Sequence, residues 1–336
     1  MKKQTQQLII GIHGLGNKAP KSLLEKWWKE AMIEGMAQAN CPKTLPKFEM
    51  VYWADILYDQ PLDLWTEDED SPYYLREPFQ IAPQHEVIEE HSIRQKVNGF
   101  ISEKLSDIFL NHDKTLNYSF ITDNILKKHF PDLDAYYKND IQDEVVMPAH
   151  VRDQIRERLV QVITKYKNHQ ILILAHSMGS IVSYDVLNFM IPEIPIHSLI
   201  TMGSPLGLPI VIGKIAAEQK IRLNGQAVLT SPPGIRGHWY NLADITDNVA
   251  LHHKLADDFL CNETGIQPID ILVNNTYQMN GVKNPHKSFG YLQAPEFASI
   301  LADFILEPIP SLRQRAWSKL QLMMKKAKDK LRTQMN

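Results

Sequence analysis

The chain has 336 residues, of which 44% are hydrophobic and 22% are charged, and its formal net charge is −3. This composition is typical of a globular protein long enough for one large α/β domain with an insertion, or for two smaller domains. The near-neutral charge gives no support for nucleic-acid binding by the whole protein. Cys41 and Cys261 lack metal-ligand spacing and are too few for a disulfide framework, so free, buried thiols are expected.

The N-terminus begins with Met1-Lys2-Lys3, and an apolar run follows at residues 8–12. This run is too short for the hydrophobic region of a signal peptide, and we interpret it as the first core strand. Nowhere does the sequence approach the roughly 20 consecutive apolar residues that a membrane span requires. These features favour a cytoplasmic location, or export by a route that leaves no cleavable signal.

A helix is predicted over residues 22–38, and a second strand over residues 48–53. Ser22 is the predicted N-cap of the helix, and Glu25, three residues later, would complete a capping box. An apolar stripe at i, i+3 and i+4 spacing indicates that the helix packs on the sheet. The stripe comprises Leu23, Leu24, Trp27, Trp28, Ala31 and Met32.

Residues 60–147 are the least regular part of the chain. They open with an acidic, proline-rich loop, and helical segments follow at about 88–110 and 123–130. We find no repeat and no catalytic motif in them. An insertion of this size between early and middle strands is expected to lie over the carboxyl edge of the sheet, as a cap that shapes a pocket. Helical packing with no role in substrate selection is an equal alternative.

An amphipathic helix predicted over residues 148–167 leads to the stretch around which the rest of the chain is organised. Residues 171–174 are four consecutive aliphatic residues, typical of a strand buried on both faces of a parallel sheet. Ala175-His176-Ser177-Met178-Gly179 follows, and then a helical pattern that stops at Pro192. A side chain larger than methyl at Ala175 or Gly179 would collide, because such a turn brings strand and helix close together.

Three further strands are predicted at residues 197–202, 238–243 and 269–273, and a closing helix at 296–306. The first of these strands ends in a loop with a second serine, Ser204. Because Ser204 lacks the strand–turn–helix context, it is not a candidate nucleophile. The alternation of strands and helices between residues 8 and 306 indicates a mostly parallel, doubly wound sheet flanked by helices.

Two motifs carry a resemblance to a known family. The A-H-S-M-G of residues 175–179 and the H-G-L-G of residues 13–16 resemble the nucleophile elbow and the oxyanion loop of the α/β-hydrolase superfamily. The resemblance is strongest to lipases and esterases in which alanine replaces the first glycine of the elbow. It implies an α/β-hydrolase fold over residues 1–310, with Ser177 as the nucleophile. It also implies that the N–H groups of Leu15 and Met178 bind the oxyanion.

The same resemblance orders the remaining members of a triad as serine, acid and then histidine. Of 13 histidines, His286 follows the last predicted strand and precedes the last helix, which implies that it is the base. The pattern W-x-N-x-x-D-x-x-D-x-V at residues 239–249 implies that Asp247 is the acid. Asp244, nearer to the strand end, stays open as the alternative, or would bond backbone N–H groups of its loop. Polar or structural roles are expected for His13, His176, His252 and His253.

The predicted function is hydrolysis of carboxylic (acyl) esters, of a small molecule or a lipid, by a lipase- or esterase-like serine hydrolase. It would use a Ser-Asp-His triad and an acyl-enzyme intermediate. No metal or nucleotide motif is found, so no cofactor is expected. A phospholipase or thioesterase acting at a membrane surface is one alternative. A non-catalytic scaffold on the same fold is another, although all triad candidates are present.

The C-terminal tail, residues 311–336, is strongly basic. It contains eight lysine or arginine residues and one acid, Asp329. Five of its apolar residues would align on one face if the tail is helical: Trp317, Leu320, Met324, Ala327 and Leu331. A basic amphipathic helix of this kind can lie on an anionic membrane surface, which would make the protein a peripheral membrane protein. A terminal helix docked on its own domain is the alternative.

Overall fold

The computed structural model describes residues 6–82, 136–137, 151–222, 228–250 and 252–308. Their central feature is a six-stranded, all-parallel sheet with the order β2-β1-β3-β4-β5-β6. Its strands are β1 (Gln7–Ile12), β2 (Lys47–Val51), β3 (Gln170–His176), β4 (Ile196–Met202), β5 (Ile235–Ala243) and β6 (Pro268–Leu272). A separate antiparallel pair is formed by β7 (Gln278–Met279) and β8 (Val282–Lys283).

Helices connect the strands. They are α1 (Lys21–Gln38), α2 (Val151–Lys165), α3 (Met178–Asp185), α4 (Pro209–Arg222), α5 (Leu255–Asp258), α6 (Ser288–Gln293) and α7 (Pro295–Leu306). A π-helical turn, Val186–Met190, continues α3, and 3₁₀ turns occur at Ala54–Ile56 and Pro205–Gly207. The predicted α/β fold class is therefore confirmed.

The side chains of β3 divide between two hydrophobic cores. Ile171 and Ile173 pack with residues of α2 and α3 on one face of the sheet. Leu172 and Leu174 pack with residues of α1 and α7 on the other face. Because successive side chains of a strand point to opposite faces, covering both faces requires the uninterrupted apolar run seen in the sequence.

The order of the strands places two loops side by side. The chain passes from β1 outward to β2, and then returns to form β3 on the opposite side of β1. Ile12 at the end of β1 is in register with Ala175 near the end of β3. Such a switch point opens a crevice at the carboxyl edge of a parallel sheet, where ligands bind. The loop after β1 and the turn after β3 meet there.

Some local predictions are wrong. The helix α1 begins at Lys21 with Pro20 at its N-cap, and no side chain caps it, so the Ser22–Glu25 capping box does not form. The strand β2 ends at Val51 rather than at residue 53, because the backbone N–H of Trp53 donates to the ring of His13. Both cysteines are free, but Cys41 is half-buried and Cys261 is exposed, so the expected burial is wrong.

Two predicted regions lie largely or wholly outside the described residues. They are the cap at residues 60–147, including the helices at 88–110 and 123–130, and the basic tail at 311–336. None of the helices in the described ranges is long and apolar enough to cross a membrane.

A buried ionic network ties together the helices on one face of the sheet. Arg156 of α2 lies 2.5 Å from the carboxylate of Asp185 in α3 and 2.9 Å from that of Glu218 in α4. The hydroxyl of Tyr136 donates to Asp185 at 2.6 Å and accepts a hydrogen bond from Arg156 at 2.9 Å. The side chains of Arg156 and Asp185 are only 2% and 1% exposed, so neither charge has water as an alternative partner.

We expect the substitution Arg156→Met to lower the free energy of unfolding by about 3–5 kcal/mol, because it leaves a buried carboxylate unpaired. Urea denaturation measures this quantity. The control is Lys26→Met, which removes an ion pair with Glu30 whose side chains are 66% and 41% exposed. That change should cost less than about 1 kcal/mol. Equal losses in the two variants would contradict the importance of the buried network.

Candidate active site

Ser177 occupies a strained turn between β3 and α3. Its φ of 54° and ψ of −128° are rare for a residue other than glycine. Its N–H donates to the carbonyl of Met202 at 2.9 Å, and its own carbonyl accepts from Ser180 at 2.9 Å. Backbone strain of this kind persists where the surrounding structure holds it in place, and it is concentrated at functional sites.

Close packing around this turn requires glycine at two neighbouring positions. A Cβ on Gly14 would lie 2.5 Å from the Cβ of Ser177. A Cβ on Gly179 would lie 2.6 Å from the carbonyl oxygen of Ile12. The collision that the sequence predicts at Gly179 is therefore present, although its partner is the end of β1 rather than β3.

The imidazole of His286 lies between a hydroxyl and a carboxylate. Its Nε2 is 3.0 Å from Ser177 Oγ, and its Nδ1 is 2.8 Å from Asp247 Oδ2. Since a carboxylate only accepts, the proton is assigned to Nδ1, and Nε2 is left to accept from the serine hydroxyl. The side chain of Asp247 is fully buried and that of His286 is partly exposed. The structure thus brings together the three residues that the sequence suggests as nucleophile, acid and base.

Asp244, the alternative acid, contacts other groups. Its Oδ1 accepts from the N–H and the hydroxyl of Thr246 at 2.7 and 2.6 Å. Its Oδ2 accepts from the N–H of Asn275 at 2.7 Å. Asp244 therefore joins the loops that follow β5 and β6, while Asp247 contacts the imidazole of His286.

Two further groups hold Asp247. Its Oδ2 accepts a second hydrogen bond, from the Tyr291 hydroxyl at 2.8 Å, and its Oδ1 accepts from the N–H of Val249 at 2.8 Å. Burial, together with the negative charge of Asp247, raises the pKa of Tyr291 well above its usual value, so this phenol stays a neutral donor. Gly203 has a φ of 55°, and a Cβ there would lie 2.8 Å from Asp247 Oδ2.

Side chains hold the carbonyl groups of the loop after β1. The N–H of Trp53 donates to His13 Nε2 at 3.0 Å, so His13 Nδ1 carries the proton and donates to the carbonyl of Gly14 at 2.9 Å. The ammonium group of Lys18 donates to the carbonyls of Leu15 and Gly16. In a trans peptide the N–H points away from the preceding carbonyl. These bonds therefore set the direction of the following N–H groups, including that of Leu15.

The second predicted oxyanion donor, Met178, is the first residue of α3, with Ser177 at the N-cap. The first N–H groups of a helix have no partner within the helix. The Met178 N–H, next to Ser177, therefore makes no hydrogen bond within the helix. The predicted donors, Leu15 and Met178, lie on the loop after β1 and at the start of α3. These two segments meet at Ser177, since a Cβ on Gly14 would lie only 3.0 Å from Ser177 Oγ.

His176, next to Ser177 in the chain, contacts His286. Its Nε2 donates to the carbonyl of His286 at 2.7 Å, and the two ring centroids are 4.9 Å apart. Burial lowers the pKa of His176 well below its usual value, and the nearby His286 acts in the same direction. Burial, reinforced by the charge of Lys18, lowers the pKa of His13 to about 3. Both rings therefore act as neutral hydrogen-bonding groups, in line with the polar roles expected for them.

A scan against known protein families finds no match, and a search of curated proteins finds no similar sequence. The chemistry open to this site therefore follows from its geometry.

The arrangement provides a hydroxyl, an imidazole placed to accept its proton and a carboxylate bonded to that imidazole. Groups with these roles catalyse acyl transfer by a serine nucleophile. Within the described ranges, no cluster of three or more histidine, cysteine, aspartate or glutamate residues is arranged to hold a metal ion.

Several groups that hold the site are not predicted from the sequence. Tyr291 follows His286 by five residues, and Lys18 follows the H-G-L-G motif by two, so proximity to a motif was a usable signal for both. The bond from His176 to the carbonyl of His286 joins residues 110 positions apart, and no local pattern indicates it.

We expect His13→Asn to make the stability of the protein less sensitive to acid. In the wild type, unfolded His13 takes up a proton below about pH 6.5, whereas the folded form stays neutral until about pH 3. Between these pH values, protonation of His13 in the unfolded chain lowers the free energy of unfolding by about 1.4 kcal/mol for each unit that the pH falls. Urea unfolding at several pH values should show a shallower slope in the variant.

The matched control is His238→Asn, at an exposed position on β5. Its pH slope should equal that of the wild type, because the substitution leaves the buried His13 in place. A slope for His13→Asn that is as steep as in the wild type would contradict the neutral, buried His13.

Proposed function

We propose that the chain is a serine hydrolase of the α/β-hydrolase superfamily, similar to lipases and esterases, that cleaves carboxylic esters. The observation that supports this most is the chain of contacts from Ser177 Oγ through His286 to Asp247, at 3.0 and 2.8 Å. It starts from a serine with a φ of 54° between a strand and a helix. A nucleophile elbow has this context.

In the first half of the proposed reaction, Ser177 Oγ attacks the ester carbonyl while His286 Nε2 takes the hydroxyl proton. Asp247 accepts the hydrogen bond from Nδ1 and stabilises the imidazolium that forms. The tetrahedral intermediate then breaks its bond to the leaving alcohol. His286 returns the proton to that alcohol, and the acyl group remains on Ser177.

In the second half, His286 removes a proton from a water molecule, which attacks the acyl-enzyme and releases the carboxylic acid. In both halves the carbonyl oxygen becomes negatively charged. We assign the N–H groups of Leu15 and Met178 to stabilise this charge, because preorganised backbone donors do so at no cost of reorganisation. Lys18 would support this role by holding the carbonyls of the Leu15 loop.

Apolar side chains on the loops near the carboxyl ends of the strands support a preference for apolar acyl or alcohol groups. Partly buried apolar residues on the loops after β1, β2 and β4 pack against the core that contains Met178. They are Leu15, Ile56, Leu57 and Leu208. Apolar walls with few polar groups are typical of pockets that bind small, lipophilic ligands. We therefore propose acyl esters of a small molecule or a lipid as substrates.

Fewer observations support the two alternative functions. A non-catalytic scaffold would need no intact nucleophile, base and acid, and the geometry from Ser177 to Asp247 argues against it. A phospholipase or thioesterase at a membrane surface would share the same triad. That alternative depends on the tail at residues 311–336, which lies outside the described residues.

The substitution Ser177→Ala should abolish turnover of a short-chain p-nitrophenyl ester and labelling by a fluorophosphonate, because it removes the attacking oxygen. Circular dichroism and the melting temperature should stay close to those of the wild type. The control is Ser204→Ala, since this buried serine accepts a hydrogen bond from Leu206 but is not placed as a nucleophile. Wild-type activity in Ser177→Ala would refute the proposed function.

The two candidate acids can be separated by a matched pair of variants. We expect Asp247→Asn to lower kcat by up to about 10⁴-fold, because the imidazole loses the carboxylate that selects its tautomer. Asp244→Asn should have a much smaller effect on kcat and should mainly lower stability, since Asp244 bonds Thr246 and Asn275. Steady-state kinetics on the same ester measures both. A larger loss of kcat in Asp244→Asn would overturn the assignment of the acid.

A further inference from the structure

A short segment from the region after β2 lies across the loop that carries His286. We call residues 77–82 the strap and residues 284–287 the base loop. The carbonyl of Pro78 accepts from the Tyr277 hydroxyl at 2.6 Å, and the carbonyl of Gln80 accepts from the Gln293 amide at 3.0 Å. The rings of Phe79 and Phe289 meet edge to face at 5.5 Å. The strap is thus bound to residues on both sides of the base loop.

Glu77, the first residue of the strap, contacts the base loop itself. Its two carboxylate oxygens accept hydrogen bonds from the side-chain amide of Asn284 at 2.8 and 3.0 Å. One of them also forms an ion pair with Lys287 at 3.1 Å. The side chains of Glu77 and Lys287 are 34% and 24% exposed, so the pair is partly shielded from water.

Asn284 transmits this contact to the base. Its Oδ1 accepts a hydrogen bond from the N–H of His286 at 3.1 Å, and its carbonyl accepts from the N–H of Lys287 at 3.1 Å. The side chain of Asn284 therefore bonds Glu77 through its amide nitrogen and the backbone of His286 through its amide oxygen. With its Nδ2 bound to Glu77, Asn284 keeps its Oδ1 directed at His286.

The charges are consistent with this arrangement. Burial opposes the ionisation of Glu77, but the Lys287 charge and the Asn284 hydrogen bonds lower the pKa of this carboxyl below its usual value. Burial lowers the pKa of the Lys287 ammonium group, and the Glu77 charge partly offsets this effect. Glu77 is therefore an ionised partner for the lysine next to the base.

We propose that Glu77 is a positioning residue that holds His286 in its reactive place by way of Asn284 and Lys287. This inference rests on the proposed role of His286 as the base. Other side chains bond the carbonyls of the base loop: His176 bonds that of His286, and Asn275 bonds that of Lys287. Glu77 acts on the same loop through the side-chain amide of Asn284, whose oxygen accepts the hydrogen bond from the His286 N–H.

The test is Glu77→Gln, which removes the charge and places an amide donor against Asn284 and Lys287. A displacement of a catalytic group by about 1 Å can cost about 100-fold in rate, so we expect kcat to fall by about 10- to 100-fold. KM should change by less than about 3-fold, because the interaction lost is with the base and not with the substrate. The control is Glu67→Gln, at an exposed position in the same region, which should keep the wild-type kcat.

A double-variant cycle separates positioning from general loosening of the fold. Asn284→Ala alone should lower kcat to a similar degree, and adding Glu77→Gln should cause little further loss, because both act along one path. The melting temperature of each variant gives the margin by which it is folded at the assay temperature. Independent, multiplying losses in kcat would overturn the proposal, as would a wild-type kcat in Glu77→Gln.

The two proposals fail in different ways. If the wild-type protein neither cleaves the ester nor reacts with a fluorophosphonate at Ser177, the proposed function is wrong. If it does both, and Glu77→Gln is as fast as Glu67→Gln, only the role of Glu77 is wrong.

Discussion

The position of the Ser177 hydroxyl depends on how tightly its turn is packed between its neighbours. The N–H of Ser177 is bonded to the carbonyl of Met202 at the end of β4. The turn also packs so closely against the end of β1 that neither Gly14 nor Gly179 has room for a Cβ. Gly203 provides the same clearance beside Asp247. Because the backbone at these points cannot relax outward, the strained φ of Ser177 is retained. The distance from its hydroxyl to His286 follows from that packing.

The site also depends on which imidazoles stay uncharged. His13 lies on the loop after β1, the ring of His176 lies 4.9 Å from that of His286, and burial keeps both His13 and His176 neutral over the usual pH range. A positive charge at His176 would disfavour an imidazolium at His286, since like charges oppose one another at short range. As neutral rings they donate to the carbonyls of Gly14 and His286. These neutral rings thus hold the loops without adding a positive charge that would oppose protonation of the proposed base.

The sequence predicts most of the sheet and the three residues of the proposed triad, because both leave local signals. The apolar run before Ser177 and the small residues around it follow from burial on two faces and from the close approach of β1. The capping box at Ser22 was wrong because the helix starts one residue earlier, after Pro20. Asp244 and Asp247 could not be separated with certainty, since their hydrogen-bond partners come from other loops. The partners of Glu77 lie more than 200 positions along the chain, at separations of 207 and 210, and no periodic pattern encodes such a contact.

These long separations affect how the protein acquires its chemistry. Ser177 and His286 are 109 residues apart, and Glu77 and Lys287 are 210 residues apart. The closure of such long loops costs chain entropy before any contact is gained, so the site forms after the more local elements. During synthesis, Ser177 leaves the ribosome before His286 has been added to the chain. Under the proposed function, a growing chain would therefore carry a serine without its base, and the hydroxyl would gain that base only when nearly all of the described sheet can assemble.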